Sequence, residues 1–154
     1  MKVLCFDMDG TIANFYGVEN WLPMLRNFDP TPYKTAKPMM NFSTLARQLN
    51  VAQRNGARLV IISWCSKCSN PIFDMEIELA KREWLKEHLP SVHWDEINVV
   101  PYGTNKAQVC GVNGEDFFLF DDEERNRNEW EELDGLAFNP SDITEILKEI
   151  NRGK

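Results

Sequence analysis

Two pairs of carboxylates stand where short apolar runs stop. Val3 to Phe6 ends in Asp7-Met8-Asp9-Gly10-Thr11, and Phe117 to Phe120 runs into Asp121-Asp122. An apolar strand that delivers acids at its carboxyl end places them where open α/β sheets bind ligands. Gly10 permits the chain to turn there without a Cβ penalty. Acids so close repel one another unless something cationic sits between them. Mg2+ answers that need, since it takes oxygen ligands from carboxylates together with phosphate and water. Two further side chains suit the same chemistry. Ser63 closes the apolar run Leu59 to Ile62, and its hydroxyl can donate to a phosphate oxygen. Lys106 follows a third apolar run and can neutralise both a phosphoryl group and a carboxylate.

Positioning these groups takes a sheet and its crossovers. Five apolar runs read as strands: Val3–Phe6, Arg58–Ser63, Glu96–Val100, Phe117–Phe120 and Gly135–Phe138. Helical patterns lie between them, and this alternation implies βαβ units and a mainly parallel sheet in a three-layer, Rossmann-like α/β sandwich. From Asn41 to Asn55, Phe42, Leu45, Leu49 and Ala52 recur at helical spacing before Gly56. Asn70-Pro71 pairs a capping residue with a first-turn proline. The helix it opens carries Phe73, Ile77, Ala80, Trp84 and His88 on one face, so His88 reads as a core-edge residue. Thr104 is placed to cap a short helix through Cys110, and Ser141 to begin the last helix.

The 154 residues suit one domain, residues 1–154, and 43% hydrophobic content suits a globular chain. Residues 14–40 stand out. Pro23, Pro30, Pro32 and Pro38 forbid a long helix, yet the segment holds Phe15, Tyr16, Trp21, Phe28 and Tyr33. It reads either as a loop folded onto the domain or as a short lid-like insertion over the site. A net charge of −7 gives no strong nucleic-acid signal. No apolar run reaches the roughly 20 residues of a membrane span, and no basic-then-apolar segment opens the chain, so cytoplasmic residence is the expectation. Cys65-Ser66-Lys67-Cys68 has the C-x-x-C spacing of a redox pair or half a zinc site. No second such pair exists, and the plainer reading is two small residues in a loop beside the pocket.

In order and spacing, Asp7 with Asp9, Ser63, Lys106, and Asp121 with Asp122 resemble the four motifs of the haloacid dehalogenase superfamily of phosphatases. The strand–helix alternation resembles that fold over nearly the whole chain, without a large cap domain. The resemblance implies Asp7 as the nucleophile that forms an aspartyl-phosphate. It implies Asp9 as the acid that protonates the leaving oxygen and then, as a base, activates water. It places Mg2+ on the Asp7 carboxylate, the Asp9 backbone carbonyl and Asp121, with Asp122 bound directly or through water. It makes Lys106 a catalytic cation, and Ser63, Thr11 and Trp64 contacts to the substrate.

Asp7 to Phe15 is also similar to the opening of the 5'(3')-deoxyribonucleotidases, which read D-M-D-G-x-x-A-D-F, and Lys81 to His88 resembles their helix after the second motif. That likeness implies Phe15 as a wall of a nucleotide pocket. The chain departs from it in having Asn14 for an acid and no room for a helical cap. The expected partner is a small phosphorylated substrate, such as a nucleoside monophosphate. A polynucleotide end or a phosphoprotein is the alternative, as is a non-catalytic binding protein on the same fold. A minimal cap leaves the site open, and a second copy of the chain in a homo-oligomer is one way to close it.

Overall fold

The structure, a computed structural model, describes residues 1–153. In chain order, β1 (Val3–Phe6) leads to a proline-rich segment, and this segment holds β2 (Ala13–Asn14), α1 (Trp21–Arg26), α2 (Thr31–Thr35) and β3 (Lys37–Pro38). Then come α3 (Phe42–Arg54), β4 (Arg58–Trp64), α4 (Pro71–His88), β5 (Glu96–Val100) and α5 (Lys106–Cys110). The chain finishes with β6 (Phe117–Phe120), α6 (Glu124–Glu131), β7 (Leu136–Phe138) and α7 (Ile143–Arg152).

β5, β4, β1, β6 and β7 form one sheet in that order, and every pairing in it is parallel. The expected three-layer α/β architecture is the observed one. Strand order reverses at β1, which lies between β4 and β6, so the carboxyl end of β1 is the switch point of the sheet. Alternation along the strands divides the core. Leu4, Phe6, Leu59 and Ile61 pack with α3, α4 and α7, while Cys5, Val60, Ile62 and Leu119 pack with Ala107 of α5 and Trp130 of α6. Strands buried on both faces explain the unbroken apolar runs of the sequence.

Helix starts follow side-chain chemistry, with two corrections. The Asn41 and Asn70 carbonyl oxygens accept from the Thr44 and Phe73 amides, so α3 and α4 begin as expected. Asn105, not Thr104, caps α5, accepting from the Gln108 amide, because the Thr104 hydroxyl turns back to the Pro101 carbonyl. Asn139, not Ser141, starts the last helical segment. It accepts from the Ser141 amide, Pro140–Asp142 form a 3-10 turn, and α7 follows from Ile143.

The prolines of residues 14–40 break the segment into short pieces, as expected. Phe15, Leu25 and Tyr33 form a small core with Phe73, Ile77 and Ala80 of α4, and the Trp84 indole N–H donates to the Ala36 carbonyl at 2.8 Å. The segment is therefore fixed to α4 and stands beside the carboxyl end of β1. No helix among the described residues is long and apolar enough to cross a membrane.

Candidate active site

The loop after β1 is wound tightly. The Met8 carbonyl accepts from the amides of Thr11, Ile12 and Ala13, and the Gly10 amide donates to the Ala13 carbonyl. Gly10 sits at φ +79°, and a Cβ there would strike the Asp122 carboxylate. Glycine is thus required for both backbone conformation and the approach of the two acidic loops. The Thr11 hydroxyl donates to Asp7 Oδ2 at 2.8 Å and accepts from the Asp122 amide at 3.2 Å. Thr11 is fully buried and ties the loops together.

Lys106, 1% exposed, reaches in from α5. Its Nζ lies 3.0 Å from Asp7 Oδ1 and 2.7 Å from Asp121 Oδ2. Burial opposes the charged form of Asp7, but Lys106 and the surrounding hydrogen bonds hold its carboxyl below the ordinary range. Burial likewise opposes the Lys106 charge, and the two acids carry it above the ordinary lysine range. At Asp121 and Asp122 burial wins, even though Lys106 also draws Asp121 down. Burial, and after it the Asp7 charge, lifts Asp121 to about 6 and Asp122 to about 8. Carboxylate oxygens of Asp7, Asp121 and Asp122 all lie within 4.8 Å of one another. Three converging acids, two of them bridged by one ammonium and two pushed upward, have the donor set of a hard divalent cation. A bound dication offsets the burial and the repulsion that raise Asp121 and Asp122, so the residues fit Mg2+.

Asp9 stands apart from these three. Its Oδ2 lies 3.0 Å from Lys81 Nζ, and burial raises its pKa in spite of that ammonium. Lys81, also 1% exposed, donates as well to Ser63 Oγ at 2.6 Å and to the Trp64 carbonyl at 2.7 Å.

Above the acids lies a cavity of ≈ 370 Å³. Asp7, Asp9, Lys106, Asp121, Asp122 and Asn126 line its floor, and Phe15, Tyr16, Trp21, Tyr33, Trp64 and Tyr102 its walls. Of the expected substrate contacts, Phe15 and Trp64 are on the cavity. Thr11 and Ser63 are fully buried and off its lining, each holding another group of the site. Phe15 is 2% exposed and packed among Tyr16, Trp21 and Tyr33, so little of its face is available for stacking. Trp64 is anchored by its indole N–H on the Thr104 carbonyl and faces Tyr102 at 5.0 Å. Cys65 and Cys68 are free thiols on the cavity wall, as the plainer reading of C-x-x-C had it.

Two residues of the site have no role assigned by the sequence reading. Asn126 is buried, donates from Nδ2 to Asp121 Oδ2 at 3.1 Å, and has no partner for Oδ1. Lys81 had a legible signal, since it falls four residues after Ile77 and three before Trp84, on the apolar face of α4.

No family model matches the chain, and no curated protein matches it. Solved structures do. D,D-heptose 1,7-bisphosphate phosphatase from Burkholderia thailandensis aligns with a TM-score of 0.55 at 18% identity, covering 86% of this chain and 74% of that one. The enzyme of the same name from B. bronchiseptica, complexed with magnesium and phosphate, aligns with a TM-score of 0.57 at 13% identity, covering 89% and 79%. At such identities the likeness establishes the fold, which is the haloacid dehalogenase fold that the four motifs resemble.

Proposed function

We propose that the chain is a Mg2+-dependent phosphomonoester hydrolase of the haloacid dehalogenase type, acting through an aspartyl-phosphate on Asp7. The observation that carries this reading is the convergence of Asp7, Asp121 and Asp122 at the switch point of the sheet, with Lys106 bridging Asp7 and Asp121. Two solved structures of this fold are phosphatases by name, and one of them holds magnesium and phosphate.

Asp7, Asp121 and Asp122 would hold the cation, which when bound supplies charge stabilisation to the phosphoryl oxygens and draws substrate and nucleophile together. The Asp7 carboxylate, kept ionised by Lys106, attacks phosphorus as the ester P–O bond breaks. Asp9, whose raised pKa favours carrying a proton, delivers it to the departing alkoxide. As a carboxylate, Asp9 then takes a proton from water, and the water oxygen attacks phosphorus to free Asp7. Lys106 steadies the negative charge through both halves, and most of the rate comes from such positioning and charge stabilisation.

For the substrate, we infer a small phosphomonoester with a flat leaving group, a nucleoside monophosphate being the expected class. The walls supply Trp64, Tyr102, Tyr16 and Trp21, all of them open to solvent at least in part. Phosphate release from nucleotides, sugar phosphates and a phosphopeptide, measured with Mg2+ and with EDTA for wild type and Asp7→Asn, tests the whole reading. Mg2+-dependent release that the substitution abolishes is expected, with nucleotides the best substrates. Release that persists in Asp7→Asn refutes the nucleophile, and no release from any member refutes the phosphatase.

A further inference from the structure

We propose that Lys81 is the positioning residue for Asp9: it fixes the carboxylate that exchanges the proton and couples it to the substrate wall. This rests on the reading of Asp9 as the proton donor. An ammonium has three N–H donors and no acceptor. Three oxygens surround Lys81 Nζ: Asp9 Oδ2 at 3.0 Å, Ser63 Oγ at 2.6 Å and the Trp64 carbonyl at 2.7 Å. Every donor is thereby spent, and Lys81 is absent from the cavity lining. It does not reach a phosphoryl oxygen, so it acts through Asp9.

An aromatic face lies beside the ammonium. Nζ lies 5.0 Å from the centre of the Tyr33 ring, and Ile77, Ala80 and Phe73 of the same small core are fully buried. Among the described residues Asp9 is the only opposite charge in contact with this ammonium, and Lys81 the only cation in contact with the Asp9 carboxylate. Each therefore fixes the other in a single arrangement. Two of the three oxygens belong to β4, and the Tyr33 ring belongs to the 14–40 segment. The orientation of Asp9 is therefore set by the same elements that wall the cavity. The buried hydroxyl of Ser63, expected from sequence to meet phosphate, serves here as an anchor for Lys81.

The experiment exploits the chemistry of the leaving group. A p-nitrophenolate departs without protonation, whereas a simple alkoxide such as that of propyl phosphate requires it. kcat/KM is measured on both esters with Mg2+ for wild type, Lys81→Met and Asp9→Asn. General acid catalysis is worth about 100-fold or more, so a misplaced acid costs Lys81→Met at least about tenfold more on the propyl ester than on the nitrophenyl ester. Asp9→Asn must show the same selective loss, more strongly. If Asp9→Asn is selective and Lys81→Met loses equally on both esters, Lys81 is only structural and the inference fails. If Asp9→Asn is itself unselective, the assignment of Asp9 fails, and the role of Lys81 with it. Should Lys81→Met not fold, Ser63→Ala carries the test, because it removes one anchor and keeps the charge. A smaller selective loss is expected, and none overturns the proposal.

Discussion

Replacing Lys106 by methionine keeps the volume and removes the one cation shared by Asp7 and Asp121. Both acid side chains are buried, with 8% and 1% exposure, and both lie within 3.0 Å of Nζ. A charge-assisted hydrogen bond contributes about 1.5–3 kcal/mol, and two of them about 3–6. Removing one partner of a buried ion pair costs about 3–5 kcal/mol, which agrees. For a chain of this length, about 4 kcal/mol corresponds to a fall in Tm of about 8–16 °C. The sign of the pH dependence follows from the two carboxyls. In the wild type Asp7 is held below its ordinary value of 3.8, so its contribution is present above that value and lost as pH falls. In the variant, buried carboxyls without their cation rise above the ordinary value, so stability is kept in acid and lost as pH rises. The gap between the two proteins should open from below pH 4 and be full at pH 8. Urea unfolding in EDTA measures it. Asp7→Asn is the control, since Lys106 keeps Asp121 at 2.7 Å and the push of Asp7 on its neighbours is gone; it should lie within about 1 kcal/mol of wild type. A Lys106→Met protein as stable as wild type at pH 8, or a gap independent of pH, refutes the reasoning.

Mg2+ should raise Tm more at pH 8 than at pH 5. Asp121 and Asp122 titrate at about 6 and about 8, so metal-free stability falls as pH rises through that window while the metal-binding form gains. Equal shifts at both pH values, read by scanning fluorimetry, would count against the acid cluster as the metal site. Gly10→Ala should abolish Mg2+-dependent phosphate release, since Ala at φ +79° costs about 1–2 kcal/mol and its methyl displaces the Asp122 carboxylate. Trp64→Ala should raise KM for nucleotides well beyond its effect on a small ester. Phe15→Ala, a packing change, should instead destabilise the fold by about 3–5 kcal/mol on denaturant unfolding.

The sheet was readable because central parallel strands are buried on both faces. Their apolar runs carry few polar residues, and the acids that end β1 and β6 mark the functional edge. Caps were less legible at Thr104 and Ser141. Each has an Asn within two residues whose carbonyl oxygen competes for the same amides, and composition alone does not say which one wins. Thr11 and Ser63 have the right chemistry for phosphate, yet each spends it inside the protein. Strand pleat decides this: Ser63 shares the face of Leu59 and Ile61, toward α4, while Trp64 shares the face of Val60 and Ile62. Lys81 was hidden for the opposite reason. A lysine in a helix reads as solvated unless its place in the apolar stripe is counted, and Ile77, Lys81 and Trp84 share that stripe.

Charge balance ties the two buried lysines to the proposed chemistry. The carboxyl edge of the sheet gathers four acids, Asp7, Asp9, Asp121 and Asp122, against two fully buried ammoniums, Lys81 and Lys106. The lysines are not interchangeable. Lys106 sits between Asp7 and Asp121, whereas Lys81 meets Asp9 alone among the acids, on the other side of β1. With all four of these acids ionised they exceed the two buried ammoniums by two negative charges, the amount that one divalent cation cancels. A phosphoryl dianion approaching the metal-free site is repelled, and one approaching the loaded site is not. The lysines alone therefore cannot make the cavity a phosphate site, and that is the physical reason phosphate affinity should depend on Mg2+ as steeply as turnover does. Equilibrium binding of inorganic phosphate, strong with Mg2+ and lost in EDTA, is the expected result. Binding that survives EDTA would mean that some of these acids are neutral at working pH, and Asp122, with its pKa at about 8, would be the first to suspect.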